Sequence, residues 1–377
     1  MKLLHTADWH LGRSLGGHAL LEEQEHLLLG PLLDIVKAEA PAAVLVAGDV
    51  FDRAVPPAEA VELLDDVLQR IVLGLGIPVV MIPGNHDEAR RLSFGAGLLR
   101  HAGLHIADSP LGRAVTFEDA TGKVSIVGAG YTTPLALAQH AAGESFADHD
   151  AGFAWLAPKL HSLCEPDARR VLVAHAFVAG GAECESERGL AVGGTGQVAA
   201  AHFAGFDYVA LGHLHRPQTL AGGRLRYAGS PLAYSVSEAD HRKSVTLVDL
   251  APDGGTTIRE VGLMPRRALR VLRGSFDALL AAPPEGREDF VAIELTDPAP
   301  VPEAQRRLSE IFPRIIGLRH VALAPVALAA AAPEAARNAT PLALFEAFFE
   351  AQRGTPLPAA ARAVAAEAIE AAQAELG

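Results

Sequence analysis

The sequence predicts an α/β protein in which buried strands alternate with helices. Short continuous apolar runs that end at Gly-Asp or Pro-Gly predict strands buried on both faces, and longer stretches with apolar residues at helical spacing predict helices. In chain order these are Lys2–Thr6 (strand), Leu20–Lys37 (helix), Ala42–Ala47 (strand), Pro57–Val72 (helix) and Pro78–Ile82 (strand). This alternation implies a partly parallel sheet covered by helices.

Later strands extend the α/β part to Gly262. The candidates are Val124–Val127, Arg170–Ala174, Tyr208–Leu211, Arg224–Tyr227 and Ser244–Leu250. Asp148–Leu163 is predicted as a connecting helix. We therefore place the first domain at residues 1–262.

A break at Gly262–Arg266 opens a smaller α+β unit, placed at residues 266–325. Its elements are Ala268–Arg273, a helix at Ser275–Leu280, a strand at Phe290–Leu295, a helix at Pro302–Ile311 and a strand at Ile315–Ala322. An Ala/Pro-rich stretch at 326–340 is predicted as a linker. Two helices, Pro341–Arg353 and Pro358–Glu375, form the last segment, 341–377.

Composition excludes several classes of protein. The 377 residues carry 32 Lys and Arg against 45 Asp and Glu, a net charge of 32 − 45 = −13, which excludes a broad basic surface that binds nucleic acid by charge alone. It does not exclude a nucleic-acid enzyme whose metal ions meet the phosphates. No apolar run reaches the roughly 18–20 residues of a membrane span, and two cysteines are too few for a disulfide scaffold. We expect a cytoplasmic, nucleoid-associated protein.

Polar side chains of metal-binding type follow five of the predicted strands. They are Asp8 and His10 in ADWHLG, Asp49 and Asp52 in AGDVFDR, Asn85, His86 and Asp87 in PGNHDE, His175 in VLVAHAF, and His213 and His215 in ALGHLH. Each group alone is a weak signal, because a lone histidine after a strand is usually a satisfied polar residue. Five such strand ends point to one shared site, since α/β sheets place their ligands there.

The donor atoms indicate which metal this site would hold. Carboxylate and imidazole without thiolate disfavour a structural zinc site and suit Mn²⁺ or a similar ion. Even seven of these ten side chains would be too many ligands for one ion, whereas two ions that share a carboxylate could use them. Dinuclear sites hold their metals about 3.5–4 Å apart, clamp both oxygens of a phosphoryl transfer and activate a bridging water as nucleophile.

These motifs, in this order, resemble those of the calcineurin-like metallophosphoesterases. HTADWHLGR, VAGDVFDR, PGNHD, YVALGHLHRPQ and YAGSPL are similar to the branch of DNA-repair nucleases that works with an SbcC-type ABC ATPase. The resemblance covers nearly the whole chain and is looser after residue 265. It implies a metallophosphoesterase αββα sandwich with mixed sheets, a small α+β capping domain and a C-terminal helix pair.

The resemblance also implies the metal ligands and the residues that act on the substrate. The ligands are Asp8, His10 and His215 for one ion, Asn85, His175 and His213 for the second, and Asp49 as the bridge. Two Mn²⁺ are expected, with Mg²⁺ or another divalent ion as alternatives. His86 is expected to face the scissile phosphate, oriented by a hydrogen bond that it donates to Asp52. We expect Asp87 to cap the next helix rather than bind metal.

The expected activity is that of a Mn²⁺-dependent DNA nuclease. The resemblance implies a 3′–5′ exonuclease on duplex ends and an endonuclease on hairpins or single strands, in an ATP-regulated repair complex. ATP would act through the partner, because no Walker motif occurs in the sequence. Two alternatives stay open: another phosphoesterase, such as a cyclic-nucleotide or protein phosphatase, and a non-catalytic tether for the ATPase.

The expected macromolecular partners are DNA, the ATPase and a second copy of the chain, together a heterotetramer. The C-terminal helices, through Leu342, Phe345, Phe348 and Phe349, would bind the ATPase, or else pack on their own catalytic domain. The homodimer would form through Pro57–Val72 and Arg90–Arg100, using Leu63, Leu64, Val67, Leu68, Leu98 and Leu99, unless these cover the sheet. The DNA-facing arginines, or else a solvated face, would be Arg266, Arg267, Arg270, Arg273, Arg306, Arg307, Arg314 and Arg319.

Overall fold

The computed structural model describes residues 1–187, 196–281, 285–321, 340–353 and 355–376. The predicted linker, 326–340, lies outside the described residues except for its last position. Within the described ranges no helix is both long and apolar enough to cross a membrane.

Nineteen strands are present in the described residues. In chain order they are β1 Lys2–Thr6, β2 Ser14–Leu15, β3 His18–Ala19, β4 Ala43–Ala47, β5 Val79–Ile82, β6 Leu104–Ile106, β7 Arg113–Asp119, β8 Gly122–Ala129, β9 Arg169–His175, β10 Phe177–Val178, β11 Gln197–Val198, β12 Tyr208–Gly212, β13 Gln218–Leu220, β14 Leu225–Tyr227, β15 Ser244–Leu250, β16 Thr256–Gly262, β17 Leu269–Gly274, β18 Phe290–Leu295 and β19 Ile315–His320.

Helices connect and cover these strands. They are α1 Leu21–Leu27, α2 Leu33–Glu39, α3 Ala58–Leu68, α4 Ala89–Leu92, α5 Ala96–Leu99, α6 Pro134–Ala138, α7 His149–Ser162, α8 Phe276–Leu280 and α9 Ala304–Ser309, followed by two C-terminal helices, Pro341–Arg353 and Ala359–Leu376. The predicted helix Leu20–Lys37 is interrupted by a π-helical turn at Leu28–Leu32. Pro31 lies in this turn and has no N–H to donate, which explains the interruption.

Two six-stranded mixed sheets are built from strands within residues 2–262. The first has the order β16-β15-β1-β4-β5-β6 and the second β13-β14-β12-β9-β8-β7. In the first sheet β1, β4, β5 and β6 are parallel, and in the second β8, β9, β12 and β14 are parallel. Antiparallel strands form one side of the first sheet, β15 and β16, and both edges of the second, β13 and β7. The carboxyl ends of the parallel strands therefore share one edge in each sheet.

Alternate residues of each strand enter different hydrophobic layers. Leu45 and Val80 of the first sheet meet Ile126 and Val171 of the second in a central layer. The neighbouring residues face outward, where the first sheet packs on α1, α2 and α3 and the second on α6 and α7. Four layers, helix–sheet–sheet–helix, result, and the predicted sandwich with mixed sheets is confirmed.

The C-terminal part contains the predicted α+β elements. Strands β17, β18 and β19 form a three-stranded sheet, with α8 and α9 between them in the chain. One compact unit contains Met1–Leu272 with two short later stretches, and the second contains the rest, including both C-terminal helices. The domain boundaries given above remain predictions.

Most arginines of the predicted DNA-facing set have acidic partners inside their own compact unit. Six of the eight are paired: Arg266 and Arg267 with Glu23, Arg270 with Asp289, Arg306 with Glu303, Arg314 with Glu288 and Arg319 with Glu294. The Arg307 guanidinium lies 4.2 Å from the ring centroid of Phe276. This surface is therefore less cationic than its arginine count suggests, and its contact with DNA remains a prediction.

Close approach of the two sheets depends on Gly212 at the end of β12. A Cβ atom there would lie 1.9 Å from the Ala47 carbonyl oxygen and 2.9 Å from His175 Nδ1. No side chain fits this space, because real Cβ contacts are not this short. Gly212 therefore sets the distance between β12 of the second sheet and the end of β4 of the first.

We expect Gly212→Ala to lower the free energy of unfolding by about 2 kcal/mol or more, the range of an overpacked core. Gly262→Ala is the matched control, because a Cβ at Gly262 meets nothing within 4 Å. Its effect should stay within about 0.5 kcal/mol. Chemical denaturation of both variants measures the difference, and equal stabilities would contradict the steric argument.

Candidate metal centre

The loops that follow β1, β4, β5 and β12, together with the last residue of β9, meet at one edge of the sandwich. They bring together all seven predicted ligands: Asp8, His10, Asp49, Asn85, His175, His213 and His215. Asn85 is half-buried, and the other six side chains are buried. The site forms because the C-terminal ends of the parallel strands of the two sheets lie next to each other.

One half of the site consists of Asp8, His10 and His215. Their donor atoms lie within 4.8 Å of one another, a spacing that could hold a metal ion. The Nε2 atoms of His10 and His215 are 3.1 Å apart, so both imidazoles point at the same place. The structure thus brings together the predicted first ligand set.

The other half consists of Asn85, His175 and His213. Asn85 Oδ1 lies 2.9 Å from His175 Nε2 and 3.2 Å from His213 Nδ1. Asp49 lies between the halves, with Oδ2 3.6 Å from His10 Nε2 and 3.5 Å from His175 Nε2. A carboxylate that reaches both groups is in the right place to serve as the bridge.

Backbone strain is concentrated at this site. Of the seven non-glycine residues with positive φ in the described chain, four are predicted ligands: Asp8 (54°), His10 (45°), Asp49 (47°) and His213 (104°). Such residues typically cost about 1–3 kcal/mol each and persist where the surroundings determine them, commonly at functional sites. Here Asp8 N donates to Gly48 O and His10 N donates to Asp49 O, bonds that hold two of these residues in place.

Burial sets the protonation of the ligands. It lowers the pKa of His175 and of His215 to about 4, and it lowers the pKa of His10 and His213 well below the usual value. Neutral imidazoles keep a lone pair for a cation. Burial, followed by the nearby Asp49 carboxylate, raises the pKa of Asp8 well above its usual value.

The donor set fits divalent metal ions. Asp8 Oδ2 and His213 Nε2 are buried and have no hydrogen-bond partner among the residues that the structure describes. Buried orphan atoms are rare in folded proteins and need an explanation, such as an ion. The like charges of Asp8 and Asp49 need a cation for the same reason, and oxygen and imidazole donors suit Mn²⁺ or a related ion.

His86 lies beside the ligands, with its orientation fixed. Nδ1 lies 2.7 Å from the backbone oxygen of Asp52, and Nε2 lies 4.0 Å from Asp49 Oδ2. The bond that orients His86 therefore goes to the main chain of Asp52, while the Asp52 carboxylate accepts from Arg13 Nη1 at 3.0 Å. Since His86 also groups with His10 and Asp49 at metal-binding distance, its place off the metals remains a prediction.

The prediction that Asp87 caps a helix is wrong. Glu88 caps α4, accepting from the backbone N–H groups of Arg90 and Arg91. The Asp87 carboxylate instead accepts from the backbone N–H groups of Val50, Phe51 and Gly84, which fastens the loop after β4 to the loop after β5. Asp87 thereby helps to hold Asp49 next to Asn85.

Sequence reasoning missed a polar cluster behind His215. It contains Ser186, Glu187, Glu238 and Lys243. Glu187 Oε1 accepts from His215 N at 2.6 Å, and Ser186 Oγ lies 2.8 Å from His215 Nδ1. The signals available were slight: Lys243 is one of five lysines in an arginine-rich chain, and Glu238 follows the YAGSPL motif.

Comparisons with known proteins find relatives for both the α/β part and the C-terminal part of the chain. The family model of the calcineurin-like phosphoesterases matches residues 1–217, and a model described as the type 5 capsule protein repressor C-terminal domain matches residues 265–353. The SbcD subunit of the nuclease SbcCD from Bacillus subtilis (strain 168) is 40% identical over 279 residues, which is 71% of this chain and 71% of that protein. All seven predicted ligands lie inside the first match.

Two solved structures are also similar. TT1561 of Thermus thermophilus has 13% identity and a TM-score of 0.39, with 69% of this chain and 98% of that chain covered. A dimetal phosphatase from Danio rerio has 15% identity and a TM-score of 0.41, with 70% of this chain and 97% of that chain covered.

Asp49→Ala should weaken both steps of Mn²⁺ binding, because its carboxylate reaches both halves of the site. The loss should exceed the roughly 10–100-fold that is typical of residues behind the ligands. His10→Ala should weaken mainly one step. Stepwise calorimetric titration of the metal-free protein measures both.

Asp207→Asn is the control, because the Asp207 carboxylate accepts from Arg170 N at the start of β9, the opposite end of that strand. It should leave both steps unchanged. An Asp49→Ala isotherm identical to that of the unmodified protein would refute the bridge.

Proposed function

Because the chain belongs to the calcineurin-like phosphoesterases and to the SbcD nuclease family within them, we propose that it hydrolyses phosphodiester bonds in DNA as the nuclease subunit of an ATP-regulated SbcCD-type complex. The observation that carries this proposal is the seven-residue donor set centred on Asp49, in which six of the seven side chains are buried. A tether without catalysis would not need these buried carboxylates or four strained residues. A phosphatase for small substrates would not need the additional C-terminal region.

Two Mn²⁺ ions are the proposed cofactors. Asp8, His10 and His215 would hold one, Asn85, His175 and His213 the other, and Asp49 would contact both. When bound, such ions supply Lewis acidity, which lowers the pKa of a coordinated water and neutralises charge on phosphoryl oxygens. Mixed carboxylate, amide and imidazole donors support Mn²⁺, and Mg²⁺ or another divalent ion is the alternative.

Residues of the chain orient this chemistry. His175 Nδ1 donates to the Ala47 carbonyl oxygen at 2.9 Å, which leaves Nε2 with its lone pair toward Asn85 and Asp49. His86 Nδ1 donates to Asp52 O, so its Nε2 faces the ligand cluster. From there Nε2 can hold a proton for the leaving oxygen or stabilise charge on the phosphate.

The proposed substrates are DNA ends and hairpins. We assign 3′–5′ exonuclease activity on duplex ends and endonuclease activity on hairpins and single strands. The name of the Bacillus subtilis relative, a nuclease subunit, supports a nucleic-acid substrate. The match to a second family model across residues 265–353 supports a role for the C-terminal region in this assembly.

The C-terminal helices are the proposed docking site for an SbcC-type ATPase. Phe345 and Phe348 are 40% and 53% exposed on the first of these helices, and Leu344 beside them is also exposed. Arg362 of the second helix pairs with Glu346 of the first and holds the two together. Exposed aromatic residues on a short helix pair are typical of a surface that binds a partner.

A homodimer is proposed through the face around α3 and α5. Leu63, Leu64 and Val67 do not contribute to it, because they are buried in the layer between helices and first sheet. Leu73, Phe94 and Leu98 are 69%, 85% and 80% exposed instead. An apolar groove of about 750 Å³ lies among the residues that surround them.

His86→Ala should abolish Mn²⁺-dependent cleavage of radiolabelled hairpin and duplex DNA while both metals stay bound. Loss of a general acid typically slows a reaction roughly 10²–10⁴-fold. Nuclease assays with Mn²⁺, with and without the ATPase, and metal analysis of the variant check this. His101→Ala, an exposed histidine, is the control. An empty or half-filled site in His86→Ala would make His86 a ligand, and cleavage of phosphomonoesters but not DNA would favour a phosphatase.

Replacing Phe345, Phe348 and Phe349 by Ser should abolish ATPase binding and ATP-stimulated cleavage. Buried aromatic anchors typically contribute about 2 kcal/mol or more each, so two lost anchors weaken a complex roughly a thousandfold. Metal-only cleavage of single strands should survive. Pull-down with the ATPase and a melting curve measure the outcome, with Leu135→Ser, 78% exposed on α6, as control. Retained ATPase binding would end this assignment.

A further inference from the structure

A buried chain of hydrogen bonds leads from His215 to an ion pair. His215 Nδ1 lies 2.8 Å from Ser186 Oγ and 3.4 Å from Glu238 Oε1, and the Ser186 hydroxyl donates to the same Glu238 oxygen. The other oxygen, Glu238 Oε2, accepts from Lys243 Nζ at 2.5 Å. The side chains of His215 and Glu238 are 1% and 0% exposed, so no bulk water replaces these partners.

The Glu238 carboxylate determines the donor and the acceptor in each of these hydrogen bonds. A serine hydroxyl can donate or accept, whereas an ionised carboxylate only accepts. Because Glu238 Oε1 takes the Ser186 proton, Ser186 Oγ is left to accept from His215 Nδ1–H. The proton of His215 therefore resides on Nδ1, and Nε2 carries the lone pair. That Nε2 faces His10 Nε2 at 3.1 Å, on the metal side of the ring.

Lys243 binds both the Glu238 carboxylate and the main chain of His215. Its Nζ donates to Glu238 Oε2, to Ser230 Oγ at 2.8 Å and to the backbone oxygen of His215 at 3.0 Å. The ammonium group thus compensates the buried carboxylate and fixes the main chain of the ligand itself. An ion pair can be buried when the remaining hydrogen-bonding atoms of both side chains also have partners.

We propose that Glu238, with Ser186 and Lys243, is a positioning residue that fixes the Nδ1–H tautomer of His215, so that Nε2 is presented to the metal that Asp8 and His10 would share. This rests on the proposed metal role of His215. With a metal bound, the arrangement would resemble a carboxylate–histidine–metal triad with Ser186 between the carboxylate and the ring, and in such triads the outer partner sets ring orientation and ligand basicity. The comparisons and the motifs assign no role to Glu238 or Lys243.

Glu238→Gln provides the sharpest test. Lys243, which can only donate, would keep the amide oxygen, which turns the amide N–H groups toward Ser186 at the cost of the bond that Tyr234 N donates to Glu238 Oε1 at 3.2 Å. Ser186 would then accept from the amide and donate to His215 Nδ1, which reverses the chain and moves the His215 proton to Nε2. We expect the Mn²⁺ step that His215→Ala removes to weaken about 10–100-fold, and the other step to change less than about threefold.

The tautomer is read directly by ¹⁵N spectra of histidine-labelled, metal-free protein, with the His215 signal assigned from its loss in His215→Ala. The unmodified protein should show Nδ1–H at this residue and Glu238→Gln should show Nε2–H or a mixture. A purely structural role would change stability without this spectroscopic shift. Glu260→Gln is the control, because Glu260 also pairs with a buried cation, Arg226, whose hydrogen bonds go to Thr219, Thr246 and Glu260 rather than to His215 or Ser186.

Two further variants keep the test decisive if Glu238→Gln folds poorly. Glu238→Gln with Lys243→Met removes both charges and should still weaken the same step. Ser186→Ala leaves the ion pair intact and should weaken that step by a smaller factor, because Glu238 Oε1 remains 3.4 Å from Nδ1.

The outcomes separate this inference from the function it rests on. If His215→Ala weakens one Mn²⁺ step but the Glu238 and Ser186 variants bind like the unmodified protein with an unchanged His215 tautomer, the positioning role is overturned and the metal site stands. If His215→Ala also leaves both steps unchanged, the metal role of His215 falls and this inference falls with it.

Discussion

The arrangement of the whole site depends on two buried carboxylates at one edge of the sandwich, those of Asp8 and Asp49. Their charges repel each other in a poorly solvated place, which raises the pKa of Asp8 well above its usual value through burial and the Asp49 charge. Burial and like charge both oppose this arrangement. The surrounding contacts hold it anyway: His213 N donates to Asp8 Oδ1, His86 N donates to Asp49 Oδ1, and both aspartates keep positive φ.

Much of this architecture could be predicted from the sequence, for a physical reason. Strands buried on both faces read as continuous apolar runs, and the breaks after them are where parallel strands deliver side chains to a common edge, so β1, β4 and β5 and their ligands were found together. Strands β7, β13 and β16 were missed because they are half-exposed edge strands without such runs. Glu238 and Lys243 were missed because only the fold brings them to His215.

Sequence spacing also does not reveal which charged or apolar side chains are paired with other residues in the fold. A cluster of arginines suggests a cationic surface, yet Glu23, Asp289, Glu288 and Glu294 neutralise most of it. Leucines at helical spacing likewise predict an apolar face without saying whether a sheet or a partner covers it. Leu63 and Leu64 turn out to be core, while Leu98 on α5 is exposed. Sequence composition gives the number of charged and apolar side chains, whereas partner binding depends on which of these side chains have no partner within the fold.

The site therefore combines a strained ligand set, which contains two like-charged carboxylates, with supporting side chains that make several hydrogen bonds each. Asp87 accepts three backbone N–H bonds, Lys243 donates three hydrogen bonds, and the bond from His175 Nδ1 to Ala47 O joins the two sheets. Because a ligand that binds only the folded state stabilises it by an amount that grows with its concentration relative to its Kd, cations bound by this set would relieve the repulsion and stabilise the fold at once. Such coupling explains why a chain can keep unfavourable buried carboxylates: the folded state is arranged for the charge it will hold.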